Sequence, residues 1–487
     1  MQTVFAARLS QYALNPAGPP ALVTPEWGMS YAELLRRVRS CATWLAAEGC
    51  SRDRIVGITV AGDFQHLVIS LALLALGVPQ VCLPTTEPAG RRSDLAARLD
   101  VARIVVAEAQ HGLPGWPTSL LAPGHYASTG SGVLPDAIDA DPDAPSVYHT
   151  SSGTTGQPKI YALTQRMIAW RGEHYIPSER VGPVFRSAIL LAAEDPMGRA
   201  RLHYCAVMGC TSVLSREHRW SVRDLCHRLG VTFVELGVLQ LGELLTDRSD
   251  LRPLPRGTIV ATGGALPPAK LRQEFRGCLG VPLFMHYGAR EFGRITASDA
   301  GSDDGDFETV GRPVPWIDFE IVDAEGKAVP TGEIGEVRVR AECMTREFYR
   351  DPEATARHFK DGWFHPRDLA SLTPEGRVRL HGRADDMMNL NGIKIFPSEI
   401  ERVLEEHPAV KAAAAFARSS AIHGDIPIAA VELHHSATID IEELLARVRE
   451  RLGVRAPRRI FVLEALPRNA AGKVVKSELA AMIPAGR

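Results

Sequence analysis

The chain has 487 residues, of which 45% are hydrophobic and 23% are charged, and its formal net charge is −2. This length predicts two or three domains, and the near-neutral charge argues against a nucleic-acid partner. The longest apolar run, residues 67–78, is too short to span a membrane. The N-terminus lacks a signal-peptide pattern. The eight cysteines form no Cys-x-x-Cys pair, which indicates reduced thiols. We therefore predict a cytoplasmic protein.

The first 290 residues alternate between helical and strand patterns. Apolar residues at helical spacing over residues 31–48, with Ser30 as N-cap and Gly49 after the end, predict an amphipathic helix. Further strands are predicted at 55–60, 103–107, 188–193, 211–214, 231–236, 258–261 and 282–286, and further helices at 65–76, 222–229, 239–245 and 267–275. Such alternation is typical of parallel sheets covered by helices on both faces. Ligands then bind at the carboxyl ends of strands, so the turns after Ala261 and His286 are candidate sites.

The pattern changes to turn-rich β structure after Gly311. Hairpin patterns lie at 318–340 and 370–380. The last hundred residues predict a compact α+β unit with helices at 398–406 and 441–452 and strands at 412–417, 428–433 and 460–463. Residues 124–142 are poor in apolar side chains and predict a surface loop.

A loop of hydroxyl residues and glycines lies between two β-type segments. Its sequence is His149-Thr150-Ser151-Ser152-Gly153-Thr154-Thr155-Gly156-Gln157-Pro158-Lys159. Such a loop presents backbone N–H and hydroxyl donors to a phosphate, and Lys159 adds a positive charge. A flexible linker is the alternative, but the β-type flanks and the Pro-Lys end favour a fixed loop. The spacing is not that of the common P-loop, which needs Gly-Lys followed by Ser or Thr.

This loop resembles the phosphate loop of the adenylate-forming superfamily, which includes acyl- and aryl-CoA ligases, stand-alone adenylation enzymes and luciferase. Its pattern is Thr-Ser-Gly-Thr-Thr-Gly-x-Pro-Lys-Gly, and Ile160 replaces the final glycine. Later segments resemble further family motifs in the same order: Gly263-Gly264-Ala265, His286-Tyr287-Gly288-Ala289-Arg290-Glu291, Trp363-Phe364-His365-Pro366-Arg367-Asp368, Gly382-Arg383-Ala384-Asp385, Asn391-Gly392-Ile393-Lys394 and Pro467-Arg468-Asn469-Ala470-Ala471-Gly472-Lys473. The matches extend from Thr150 to Lys473.

The resemblance implies an α/β fold with a large N-terminal domain and a small one. The large domain, residues 1–384, binds AMP and the acid within α/β sheets and includes a β-rich subdomain over about 311–384. The small mobile α+β domain, residues 385–487, carries the catalytic lysine.

The resemblance also implies residue roles in nucleotide binding. The phosphate-binding set is Thr150, Ser151, Ser152, Gly153, Thr154, Thr155, Gly156 and Lys159. The adenine and ribose set is Gly263, Gly264, Ala265, His286, Tyr287, Gly288, Asp368 and Arg383, with Tyr287 stacked on adenine. Glu291 and Thr154 are the expected magnesium ligands.

Two positions depart from the family pattern near these residues. Arg290 stands where the family has a threonine that binds the α-phosphate. An arginine makes that contact more strongly, or it binds a second anion. Pro366-Arg367 replaces Thr-Gly directly before Asp368, the residue expected to accept the ribose hydroxyls.

The resemblance implies that the small domain acts in both steps of the reaction, formation of the acyl-adenylate and formation of the thioester. Lys473 is the mobile catalytic lysine that bridges the carboxylate and the α-phosphate, and Asp385 is the hinge. Asn391, Gly392 and Lys394 belong to the face used in thioester formation, and Asn391-Gly392 predicts a turn that tolerates positive φ.

The acid pocket is the least specific prediction. Glu194 and Asp195 stand where the family often has an uncharged histidine or aromatic residue, so the acidic pair indicates either an unusual, amine-bearing acid or an exposed loop. Phe233, Glu235, Gly237 and Gly263 are further candidate walls of the pocket.

The implied activity is activation of a small carboxylic acid by ATP and Mg²⁺, followed by acyl transfer to coenzyme A. The alternative acceptor is the phosphopantetheine arm of a separate acyl carrier protein. A nucleotide-binding regulatory protein without catalysis is a third hypothesis, which the retained Lys159, Glu291, Asp368 and Lys473 disfavour. We expect a monomer or homodimer with no nucleic-acid or membrane partner.

Overall fold

The computed structural model of the chain describes residues 3–127, 140–151, 158–180, 182–216, 218, 220–246, 250–264, 267, 269–281, 283–298, 309–391, 393–420, 424–435, 437–468 and 474–483. Most of the predicted surface loop at 124–142 lies outside the described residues. Among the helices of the described chain, none combines the length and apolarity needed to cross a bilayer.

The N-terminal elements build a mostly parallel sheet. They are α1 (Val4–Ala13), β1 (Leu22–Val23), β2 (Gly28–Met29), α2 (Tyr31–Ala47), β3 (Val56–Thr59), α3 (Asp63–Leu76), β4 (Gln80–Cys82), α4 (Ala89–Arg98), β5 (Arg103–Val106), β6 (Thr118–Leu120), β7 (Pro145–Thr150), β8 (Ile160–Thr164) and α5 (Gln165–Ser178). The strand order is β6-β5-β3-β4-β7-β8, parallel except for the last pair. The helix predicted at residues 31–48 is confirmed as α2. Its predicted N-cap, Ser30, accepts a hydrogen bond from Glu33 N.

A second mostly parallel sheet follows. Its elements are β9 (Arg186–Ile189), α6 (Pro196–Met208), β10 (Thr211–Leu214), α7 (Val222–Leu229), β11 (Phe233–Leu236), α8 (Val238–Thr246), β12 (Ile259–Gly263), α9 (Ala269–Leu279), β13 (Leu283–Ala289), β14 (Gly293–Ala297) and β15 (Arg312–Pro313). The strand order is β15-β14-β13-β12-β11-β9-β10-β1-β2, with β1 and β2 supplied by the N-terminal segment. The predicted strand at 188–193 is displaced, since β9 ends at Ile189 and the chain turns towards α6.

The β-rich segment is confirmed as antiparallel structure. It contains β16 (Asp318–Val322), β17 (Gly335–Arg340), α10 (Pro352–His358), β18 (Phe359–Lys360), β19 (Trp363–Phe364), β20 (Asp368–Leu372) and β21 (Val378–Arg383). Strands β20 and β21 pair so that Asp368 lies opposite Arg383. This register brings the two predicted ribose-binding residues together.

The C-terminal unit has its own sheet. It contains β22 (Met388–Leu390), β23 (Ile393–Ile395), α11 (Pro397–Glu405), β24 (Val410–Ser420), β25 (Gly424–Leu433), α12 (Ile441–Leu452), β26 (Ile460–Leu463) and α13 (Lys476–Met482). The strand order is β23-β22-β25-β24, and β26 pairs with β25. Its two hydrophobic clusters, one around Val431 and the other around Ala430, contain residues only from position 388 onwards. Contact with the preceding segment includes Ser398 Oγ, which donates to the His381 carbonyl over 2.6 Å.

Candidate functional site

The ends of the predicted phosphate loop are held together by strand pairing. Thr150 pairs with Ile160, and Ser151 N donates to the Lys159 carbonyl over 2.8 Å. Ser152, Gly153, Thr154, Thr155 and Gly156 lie outside the described residues. Ile160 is buried in a hydrophobic cluster with Tyr148, so the residue that departs from the family's glycine contributes to the core.

The ammonium group of Lys159 is held near the loop by His358. Lys159 Nζ lies 2.6 Å from His358 Nε2 and 5.2 Å from the centre of the Phe348 ring. His358 Nδ1 donates to the His365 carbonyl, which leaves Nε2 as the acceptor. Burial lowers the pKa of Lys159, and the nearby Glu291 carboxylate opposes this shift. Lys159 and Glu291 therefore lie on the same side of the site.

The carboxyl ends of β12 and β13 come together as predicted, and two glycines permit it. Gly263 pairs with His286, and a Cβ on Gly263 would lie 2.2 Å from the His286 ring. A Cβ on Gly288 would lie 2.2 Å from the Gly293 carbonyl oxygen. A side chain at Gly263 would displace the His286 ring, and one at Gly288 would separate β13 from the neighbouring strand β14. Gly264 follows with φ +81°, and Ala265 lies outside the described residues.

Tyr287, Asp368 and Arg383 form one polar cluster. Tyr287 Oη donates to Asp368 Oδ2 over 2.5 Å, and Arg383 Nη1 lies 3.7 Å from Asp368 Oδ1. Burial, reinforced by the Asp368 carboxylate, raises the pKa of Tyr287 well above its usual value. The phenol therefore stays protonated and remains a hydrogen-bond donor. The cluster joins an aromatic face, a carboxylate and a guanidinium from three distant segments.

At the departure Pro366-Arg367, the arginine adopts a left-handed backbone conformation. Arg367 has φ +69°, a value that favours glycine, at the position where the family has glycine. Arg367 Nη1 donates to Glu336 Oε2 over 2.5 Å, and the Arg367 carbonyl accepts a hydrogen bond from Ala384 N. These contacts stabilise the unusual conformation directly before Asp368.

Arg171, a residue that the sequence analysis missed, supports the segment that carries Arg290 and Glu291. From the buried face of α5 it donates to the carbonyls of Arg290, over 3.3 Å, and Glu291, over 3.0 Å. Burial raises the pKa of Glu291, opposed by Arg290 and Lys159. The available sequence signal was a single arginine on the apolar face of a helix, which has no specific interpretation by itself.

A buried network of ion pairs and hydrogen bonds holds the side chain of His286. His286 Nε2 donates to Glu235 Oε1 over 2.8 Å, and Arg201 Nη2 donates to Glu235 Oε2 over 3.1 Å. Although burial disfavours its charged form, Arg201 and His286 hold the pKa of Glu235 below its usual range. Arg201 also pairs with Glu179, which in turn pairs with Arg294. The Glu235 carboxylate, a candidate wall of the acid pocket, is thus engaged within the protein.

The residues predicted to face the acid have structural partners. Thr85 donates to both Glu194 oxygens, from its N over 2.8 Å and its Oγ1 over 2.7 Å. Asp195 is the N-cap of α6 and accepts from Met197 N over 2.7 Å. Phe233 is fully buried against Phe185, and Gly237 N donates to Gln240 Oε1.

The predicted hinge residue, Asp385, is surrounded by three arginine side chains. Asp385 lies 2.7 Å from Arg357 Nη2, 3.6 Å from Arg367 Nη2 and 3.8 Å from Arg383 Nη2. Asn391 has φ +50° between β22 and β23, the conformation that its turn predicts. Lys394 is exposed on β23 opposite Asn389. Gly392 lies outside the described residues.

Lys473 also lies outside the described residues, but the base of its segment is described. Arg468 forms a β-bridge with Val474, and Val475 N donates to the Pro467 carbonyl. Glu432 on β25 accepts from Leu466 N over 3.2 Å and from Arg468 Nη2 over 3.4 Å. The described residues on the two sides of Lys473 therefore pair with each other, and the preceding side is attached to the C-terminal sheet.

Comparison with known proteins decides the family. The AMP-binding enzyme family matches residues 10–349, and its C-terminal domain matches residues 399–473. This chain belongs to the AMP-binding enzyme family. The resemblance found in the sequence is therefore confirmed for both parts of the chain.

This AMP-binding enzyme is similar to enzymes of known activity along almost its whole length. It is 29% identical to 4-chlorobenzoate–CoA ligase of an Arthrobacter species, over 98% of this chain and 95% of the relative. A solved structure of o-succinylbenzoate CoA synthetase from Bacillus subtilis, with its acyl-adenylate intermediate, is 25% identical with a TM-score of 0.86, covering 97% of each chain. The amide bond synthetase of Marinactinospora thermotolerans is also 25% identical, with a TM-score of 0.86 and 99% coverage of each chain. The predicted α/β fold is confirmed.

Proposed function

We propose that this enzyme activates a carboxylic acid with ATP, releases pyrophosphate, and transfers the acyl group of the resulting acyl-adenylate to the thiol of coenzyme A. The observation that carries the proposal is the cluster of Tyr287, Asp368 and Arg383, which lies at the end of β13 and in the β20–β21 register. Adenosine fits these three groups: the aromatic face stacks on adenine, and the carboxylate and the guanidinium bind the ribose hydroxyls. The CoA-ligase and acyl-adenylate relatives support the same reaction class.

In the first half-reaction the acid carboxylate attacks the α-phosphorus, forming the acyl–phosphate bond while the bond to pyrophosphate breaks. Such a reaction depends mainly on positioning and on neutralising charge. Lys159 and the loop donors hold the phosphates, Tyr287 and Asp368 hold the nucleoside, and Lys473 approaches the α-phosphate. The second half-reaction forms the thioester and releases AMP.

The residues present fit a magnesium ion bound together with ATP. Glu291 offers one partly buried carboxylate beside Lys159. The described residues contain no group of three or more metal-ligating side chains. This agrees with Mg²⁺, which usually takes one or two carboxylates and completes its shell with phosphate oxygens and water. Such an ion would neutralise phosphate charge.

We propose that the unit from Asp385 onwards rotates between the half-reactions. The separate hydrophobic clusters beyond residue 388 support a unit that moves as one body, with hinge residues that absorb the backbone change. One arrangement brings Lys473 to the adenylate site, and the other brings Asn391, Gly392 and Lys394.

The decisive experiment measures the two half-reactions separately. We expect Lys473→Ala to lower acid-dependent pyrophosphate exchange by about 100- to 1000-fold, the effect of removing one preorganised charge-stabilising donor. Thioester formation from a supplied acyl-adenylate should remain near wild type. Lys476→Ala is the matched control, since Lys476 pairs with Glu401 nearby. An equal loss in both half-reactions would contradict the assigned role of Lys473.

The acceptor is tested on the wild-type protein with mass detection of products. We expect a coenzyme A thioester. A product formed only with a phosphopantetheinylated carrier protein would favour the alternative acceptor, and an amide formed with a supplied amine would favour the chemistry of the amide bond synthetase relative.

A further inference from the structure

The turn before α6 and the first turn of that helix contain two acidic residues and a buried arginine. The two acidic residues suggest recognition of an amine, but both Glu194 oxygens accept hydrogen bonds from Thr85, and Asp195 caps the helix. One turn further along the same helix lies Arg199, whose side chain is buried with the residue only 3% exposed. The two acidic side chains at this turn therefore have hydrogen-bond donors within the protein, whereas two nitrogens of Arg199 have no described acceptor.

Arg199 lacks the partners that a buried guanidinium usually has. Its Nη2 donates to His149 Nδ1 over 3.2 Å, while Nε and Nη1 have no hydrogen-bond partner among the described residues. Within that part of the chain no carboxylate oxygen forms an ion pair with it. Leaving donors of a charged group buried and unpaired is expensive.

Other buried arginines of the same core are compensated. Arg201 pairs with Glu179 and Glu235, and Arg294 pairs with Glu179. Arg171 donates to two backbone carbonyls. Arg199 differs from these three because both its Nε and its Nη1 lack a hydrogen-bond partner among the described residues and its one bonded nitrogen donates to a neutral imidazole.

The histidines and the cysteine around Arg199 are neutral at pH 7. Burial, followed by the charge of Arg199, lowers the pKa of His66 to about 3 and of His203 to about 3. The pKa of His149 is lowered well below its usual value for the same reasons. Burial also raises the pKa of the Cys82 thiol to about 12, although Arg199 opposes the shift. None of these four side chains carries a negative charge. The carboxylates of Glu194 and Asp195 also act electrostatically on Cys82, but their described hydrogen bonds are to Thr85 and Met197 N.

The location connects Arg199 with the reaction centre. Its contact residue His149 directly precedes Thr150, the first residue of the phosphate-binding segment. Arg171 and Arg290 also act electrostatically on His149, so three guanidiniums contribute positive potential at this imidazole. An anion held there would lie between the turn that begins α6 and the segment that binds ATP, where the proposed function brings acid and nucleotide together.

We propose that the acid activated by this enzyme carries a second anionic group, a carboxylate or a sulfonate, and that Arg199 binds it. A guanidinium presents its N–H donors in a planar fork that matches the oxygens of such a group. The inference rests on the proposed function and narrows its substrate class to acids with two anionic groups.

The first test uses the wild-type protein and matched acids. Phthalate and 3-sulfobenzoate are compared with benzoate, and succinate is compared with butyrate. β-Alanine serves as the amine-bearing acid. Each acid is measured in pyrophosphate exchange and in calorimetric titration with a non-hydrolysable ATP analogue present. We expect at least one dianionic acid to exceed its monoanionic match by about 100-fold in kcat/KM, since a buried unpaired donor penalises a ligand that cannot pair with it. A preference for monoanionic acids or β-alanine would overturn the inference.

The second test changes Arg199. Arg199→Met should lower kcat/KM for the preferred dianionic acid by about 100-fold and leave the KM for ATP unchanged, whereas Arg199→Lys, which keeps the charge, should retain part of the preference. Arg223→Met is the matched control, since Arg223 is another buried arginine with an unpaired Nη1. A rise in the KM for ATP without a change in acid preference would show that the bound anion is a phosphate, and would overturn the inference.

Failure of the proposed function gives a different result. In that case the ATP analogue would not bind, or no acid would support exchange. If the analogue binds and exchange occurs only with monoanionic acids, the proposed function stands and the role of Arg199 is wrong. If Arg199→Met does not fold, Arg199→Lys and the wild-type panel still decide between these outcomes.

Discussion

Asp195 illustrates how one side chain carries a structural role at a position that suggests substrate recognition. Its carboxylate accepts from Met197 N at the first turn of α6. An aspartate at an N-cap satisfies a backbone donor that the helix leaves unpaired. The same residue type would recognise an amine, and only the geometry separates the two roles.

We predict that Asp195→Asn keeps both the cap and the acid profile, because asparagine is an equally good N-cap. Asp195→Ala should lower the free energy of unfolding by about 1 kcal/mol, measured by urea denaturation. A changed acid preference in Asp195→Asn, measured by pyrophosphate exchange, would instead favour substrate recognition by Asp195.

The proposed role of Glu291 as a magnesium ligand is testable through the magnesium dependence of the enzyme. We predict that Glu291→Gln raises the magnesium concentration needed for half-maximal pyrophosphate exchange, since an amide is a weaker magnesium ligand than a carboxylate. In the wild type, burial raises the pKa of Glu291, so its carboxylate should protonate, and activity should fall, at a higher pH than for an ordinary glutamate. A magnesium dependence identical to wild type would remove Glu291 from this role.

At the scale of elements, one acidic residue of the neighbouring sheet binds the segment that leads to Lys473. Glu432 is buried on β25 and binds Leu466 N and Arg468 in this segment. On its other side it pairs with Lys411 Nζ over 2.6 Å. The carboxylate thus connects the C-terminal sheet to the segment that delivers Lys473.

We predict that Glu432→Ala lowers the rate of adenylation by about 10-fold through misplacement of Lys473, while thioester formation from a supplied acyl-adenylate stays near wild type. Lys411→Met is the control, because it removes the half-exposed partner of Glu432 and leaves the contacts with Leu466 and Arg468 intact. Equal losses in both half-reactions for Glu432→Ala would indicate general destabilisation of the C-terminal unit.

At the scale of the whole molecule, buried neutral histidines set the response to acid. Burial lowers the pKa of His66 and His203 to about 3 and of His358 to about 4. These groups bind protons more readily in the unfolded chain, so stability present above pH 6.5 is lost as the pH falls towards these values. Glu405, whose pKa burial raises to about 7, opposes this trend between about pH 4.5 and 7, but the histidines outnumber it.

We predict that the free energy of unfolding decreases between pH 6.5 and 4, at up to about 1.4 kcal/mol per pH unit for each net proton. Urea denaturation at pH 7, 6, 5 and 4 measures the slope. His203→Gln, which keeps a polar group near Ser70, should flatten it. A constant stability over this range would show that these imidazoles are not neutral in the folded protein.

The sequence predicted those elements whose signals are local. The helix at Tyr31–Ala47 has its cap, its apolar spacing and its terminal glycine within twenty residues, and α12 and β26 begin and end as predicted. Helix α6 was missed because Arg199, Arg201 and His203 are buried on it, and buried polar residues break the apolar pattern on which such predictions depend.

The sequence by itself determined the family, the order of the motifs and the residue types offered to the nucleotide, because these are properties of contiguous segments. Only the tertiary structure decided which charges have partners. Tyr287 contacts Asp368 across 81 positions in the sequence, and Arg171 supports Glu291 across 120. Glu194 accepts hydrogen bonds from Thr85 across 109 positions. Electrostatic and hydrogen-bond energies depend on distance in space, and the separation along the chain carries no such information. The unpaired guanidinium of Arg199 therefore became visible only once the chain was folded.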